Sequence, residues 1–80
     1  MSTPTHSTTL SQCHNGQVSQ IVSLNGSLEL KMRLVNLGFH THSIVETILS
    51  RGQNIVVSVD GSRFAIDKKI AEFIQVEPLA

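Results

Sequence analysis

A mainly β domain, a small partly open barrel of about five short antiparallel strands with one inserted helix, is the fold class this chain predicts. Three observations carry that expectation. Runs rich in Val, Ile and Thr, broken by turn residues, fill the chain after Gly38. Only one window, Leu28–Leu37, has helical periodicity. Asp60-Gly61 lies between two such runs, and both central positions of a type I′ hairpin turn need positive φ, which Asp-Gly adopts at little cost. With 80 residues the chain has material for one core and no second domain.

The elements follow in order. Seven of the first twelve residues are Ser or Thr, with Pro4 among them, so residues 1–9 are expected to be a mobile tail and residues 10–80 a single domain. Leu10 is the first apolar residue, and Asn15-Gly16 is a turn pair suited to positive φ. Residues 17–24 form an imperfectly alternating strand carrying Val18, Ile21, Val22 and Leu24. Ser27 is placed to cap the helix, Glu29 sits in the first turn where the dipole favours an acid, and Gly38 supplies the left-handed stop. Residues 43–50 and 54–60 read as paired strands, the second with Ile55, Val57 and Val59 on one face. A short strand over residues 63–66, a single helical turn capped by Asp67, and a last strand over residues 73–76 complete the order.

Composition removes several function classes. Six basic and six acidic residues leave no net field to gather nucleic acid or an anionic membrane. One cysteine, Cys13, cannot form an intramolecular disulfide, the N-terminus has no basic start followed by an apolar run, and no segment is long and apolar enough to span a bilayer. These features lead us to expect a cytoplasmic protein without direct membrane insertion.

Chemistry has few footholds. No Gly-rich loop ending in Lys-Ser or Lys-Thr and no nucleophile elbow is present, so no enzymatic activity, catalytic residue or cofactor is expected. Phe39, Phe64 and Phe73 are too few for a stacking platform and read as core. Cys13-His14 and His40-x-His42 are the only candidate metal ligands. Their spacing matches no standard zinc motif, so the expectation is no metal site, with a divalent-metal-sensing module as the alternative.

Several fragments in this order resemble the FeoA family: Leu10 before Gly16-Gln17, Ile21-Val22, Arg33-Leu34-Val35-Asn36-Leu37-Gly38, Val59-Asp60-Gly61, Ala65-Ile66, and Ile70-Ala71 with Ile74 and Val76. The resemblance implies a Src-homology-3-like (SH3-like) barrel. It also implies a role in bacterial ferrous-iron uptake through the cytoplasmic GTPase portion of the FeoB permease. Related barrels end the iron-dependent repressors, but no helix-turn-helix segment accompanies this one. A peptide-binding adaptor unrelated to iron would use the same barrel. Where the family turns through Pro-Gly after Leu37-Gly38-Phe39, this chain has Thr41-His42, so the turn is expected to persist with altered geometry.

The partner surface is expected on the helix. Steps of 100° put Leu30, Leu34 and Leu37 on one side and Leu28, Met32 and Val35 almost opposite, and a helix lying on a small barrel buries one stripe. Leu28, Met32, Val35 and Leu34 are therefore the candidate partner-binding residues, with Leu34 leaning towards the core. The other stripe calls for cover from the chain itself, from a second copy or from a partner.

Overall fold

The computed structural model describes residues 8–79; of the tail expected over residues 1–9, residues 1–7 lie outside them. Six strands form one antiparallel sheet: β1 (Thr8–Thr9), β2 (Val18–Leu24), β3 (Ile44–Arg51), β4 (Asn54–Val59), β5 (Ser62–Asp67) and β6 (Ile74–Pro78). Helix α1 (Leu28–Leu37) is inserted between β2 and β3, and one turn, α2 (Lys68–Ala71), between β5 and β6. The spatial order β1-β6-β2-β3-β4-β5 leaves β1 and β5 as edges, which makes the barrel open. Thr8 and Thr9 correct the expected tail: they pair with Val76 and Gln75, giving a sixth strand.

The imperfect alternation of β2 has a structural cause. Its pairing with β6 runs Ile21 to Val76 and then Ser23 to Gln75, so a bulge at Val22 absorbs one residue and turns that side chain to solvent. A second bulge falls between Thr47 and Leu49 of β3, against Val57 and Val56. The unbroken alternation of β4 needs no such adjustment, and Ile55, Val57 and Val59 are all buried. They meet Leu10, Ile21, Val45, Ile74 and Val76 in one core. Thr47 also faces inward, and its Oγ1 is buried without a hydrogen-bond partner among the described residues.

Local chemistry sets the turns. Asp60 and Gly61 have φ of 51° and 86°, the two positive values of a type I′ turn, and Val59 pairs with Ser62 across it. Asp67 caps α2 by accepting from the Lys69 N–H at 2.7 Å. The Thr41-His42 turn persists, as expected, and has the features of a type II turn. The Ser43 N–H donates to the His40 carbonyl at 2.9 Å, and His42 takes φ 79°, the third-position value of a type II turn that glycine adopts most easily. Two bonds to β2 hold His42 there: its N–H donates to the Ile21 carbonyl at 2.7 Å, and Gln20 Nε2 donates to its carbonyl at 3.2 Å.

Two stability changes are expected. Gly61→Val, which forces a β-branched residue to positive φ, should lower the unfolding free energy by about 1 kcal/mol or more in a denaturant titration. His42→Gly at the same kind of φ should raise it by about 0.5–1 kcal/mol, since relief of left-handed strain exceeds the added chain entropy of the unfolded state. An unchanged midpoint in either variant would contradict the turn assigned to it.

Candidate docking face

Helix α1 is held at both ends by its own sequence. The Ser27 hydroxyl accepts from the Leu30 N–H at 3.1 Å. Just before it, Gly26 has φ +96°, and a Cβ there would meet Leu30 Cδ2 at 2.9 Å and Phe73 Cδ1 at 3.1 Å, so glycine lets the helix start close to the sheet. At the other end Gly38 has φ 113°, and the Phe39 N–H donates to the Leu34 carbonyl at 3.0 Å. The chain then drops Phe39 into the core, edge-on to Phe64 with centroids 5.3 Å apart and rings at 87°.

This anchoring sorts the helix residues. Leu34 is 1% exposed and belongs to the core, which removes it from the candidate partner-binding set. Leu28 (75% exposed), Met32 (57%) and Val35 (38%) face solvent as one stripe. Leu37, expected to be buried with Leu34, is 48% exposed. It lines a groove of about 180 Å³ between α1 and the β5–α2 connection, with Leu30, Arg33, Leu34, Ile66, Asp67 and Ile70. Ile66 and Ile70 were not expected as its far wall. No single period links them, because Ile66 lies in β5 and Ile70 in α2, so the sequence carried no signal for the pair.

The candidate metal ligands are not brought together. Cys13 is buried, with Sγ 3.7 Å from the Ser19 hydroxyl and 3.8 Å from the Thr9 carbonyl, whereas His14 is exposed. His40 and His42 are exposed on the turn before β3. Among the described residues, no group of three or more His, Cys, Asp or Glu side chains is placed to hold a metal ion. Of the three aromatic residues expected in the core, Phe39 is buried, Phe64 is partly buried, and Phe73 is 37% exposed beside Gly26 at the start of the helix.

Comparison with known proteins places this architecture. None of the curated proteins searched matches the chain. Among solved structures, the chain is similar to an iron uptake regulatory protein, FeoA, with a TM-score of 0.88 and 28% identity over 92% of this chain and 100% of that one. It is also similar to a manganese-dependent transcriptional repressor (TM-score 0.87, 16% identity, 96% of this chain and 44% of that one). A third match is FeoA of Stenotrophomonas maltophilia, a prokaryotic SH3 domain protein crystallised with zinc (TM-score 0.76, 24% identity, 86% and 88%). The last two likenesses establish the SH3-like fold. The FeoA domain family model matches residues 8–78, from the first paired threonine to the last residue of β6, and the chain therefore belongs to the FeoA family.

Proposed function

We infer that this protein is a non-enzymatic, cytoplasmic accessory of bacterial ferrous-iron uptake that docks on the GTPase portion of a FeoB-type permease. Membership of the FeoA family supports the iron-uptake role. The observation that carries the docking is the exposed stripe of Leu28, Met32 and Val35 on a helix whose opposite side is fixed by Leu34. Three large apolar side chains held in water on a rigid element cost solvation free energy that a partner would recover, and a central cluster of this kind is what anchors a small interface. No described helix is long and apolar enough to cross a membrane.

Copurification with the cytoplasmic domain of FeoB is the direct test. The double variant Leu28→Gln/Met32→Gln should keep its unfolding free energy within about 0.5 kcal/mol of the parent and lose copurification. Leu34→Gln buries an amide without partners and should cost about 2–4 kcal/mol, so that its loss of binding is loss of fold. Retained copurification by the folded double variant would remove the helix as the docking element.

The metal-sensing alternative is tested separately. His40→Ala/His42→Ala should leave both melting and copurification unchanged. Stoichiometric zinc binding tighter than micromolar in isothermal titration, lost in that variant, would establish a site and overturn the expectation.

A further inference from the structure

We propose that β5 is a pairing edge for a second copy of this chain, joining the two sheets antiparallel about a twofold axis through Ala65. The edge is defined by the hairpin that precedes it. In a two-residue hairpin, Val59 and Ser62 exchange both backbone bonds, and every second pair along the ladder repeats this. Phe64 and Ile66 therefore bond to β4, and the Lys68 N–H continues the same phase by donating to the Gln53 carbonyl at 2.8 Å. The N–H and C=O groups of Arg63 and Ala65, and the N–H of Asp67, consequently point away from β4, while the Asp67 carbonyl turns into the first turn of α2. Among the described residues, no backbone hydrogen bond reaches them there.

The register follows from those three residues. An antiparallel twofold pairing matches residues whose numbers share one sum. Only a sum of 130 uses all three open residues on both copies, setting Ala65 opposite Ala65 and Arg63 opposite Asp67 on either side of the axis. A shift by two residues in either direction leaves two such pairs instead of three. The favoured register is thus also the one that places an exposed guanidinium opposite an exposed carboxylate twice. Asp67 remains available for this, because its cap on α2 uses Oδ1 alone among the described contacts. Between the charges lies only the small side chain of Ala65, while on the core side Phe64 comes opposite Ile66, both apolar. The groove beside Ile66 and Asp67 separates α1 from this end of the edge.

Charged residues on an edge strand usually repel foreign strands. Here the same two charges repel most sequences and complement a second copy, which makes the edge selective for itself. Six residues a side is a small contact, so the association is expected to be weak and concentration-dependent.

Sedimentation velocity on the full chain across a concentration series tests this. The parent should show a reversible dimer. Arg63→Asp sets a carboxylate opposite Asp67 and should weaken that dimer by about tenfold or more. Adding Asp67→Asn, which keeps a capping side chain and removes the charge, should restore part of the loss. Ala65→Pro removes an N–H that has no partner within the monomer, and should abolish the dimer while the chain still melts cooperatively. Met32→Gln, on the helix, should dimerise like the parent. A chain that stays monomeric into the millimolar range, a dimer that survives Ala65→Pro in a folded variant, or a dimer lost in Met32→Gln would each overturn the proposal.

Discussion

The insertion of Phe39 beneath the end of α1 is the constraint on which the rest of the molecule depends. Gly38 turns the chain through positive φ, the Phe39 amide closes on the Leu34 carbonyl, and the ring packs edge-on against Phe64. One aromatic side chain thereby fixes the angle at which the helix leaves the sheet, the start of the turn that leads into β3, and the inward face of β5. The two residues that the helix and its cap commit to the core are Leu34 and Phe39. A helix attached at so few points keeps most of its apolar surface outward, which is why a protein of this size can present a docking face on a regular element instead of on a loop.

Features governed by neighbouring residues were legible in the sequence. The bounds of α1 follow from Ser27 and Gly38, the β4–β5 hairpin from Asp60-Gly61, and α2 from Asp67, because each depends on chemistry within a few positions. What the sequence concealed was non-local. Nothing about two threonines in a polar stretch marks them as a strand; Thr8 and Thr9 become one because β6 offers an open edge beside them. Leu37 has the spacing of a buried residue, yet the distance between α1 and the β5–α2 connection leaves it half in water. Phe73 reads as core by residue type and is exposed because it sits just before β6, over the Gly26 turn.

The candidate site divides along the same line. Leu28, Met32 and Val35 were identifiable from helical periodicity as one stripe, but periodicity alone could not say which stripe the barrel takes. The structure answers this through Leu34. The histidine and cysteine pairs illustrate the reverse case. Residue type alone made them candidate ligands, since their spacing matches no standard motif, and the burial of Cys13 beside an exposed His14 shows that adjacent positions in an extended segment look in opposite directions.

The place of β6 in the sheet has a consequence for the order of assembly. The strand latest in the chain lies between β1 and β2 and pairs with both, whereas β3, β4 and β5 are joined by short hairpins. During synthesis the β3–β5 meander can zip as soon as it emerges, because its pairings span few residues. β2 can add to this meander through its pairing with β3, but its other edge and the pairing of β1 must wait for Ile74–Pro78, and the β1–β6 contact bridges the whole length of the domain. That long-range step carries most of the loop-closure entropy and is expected to set the folding rate. Until it occurs, the edge of β2 is exposed as a template for the wrong strand.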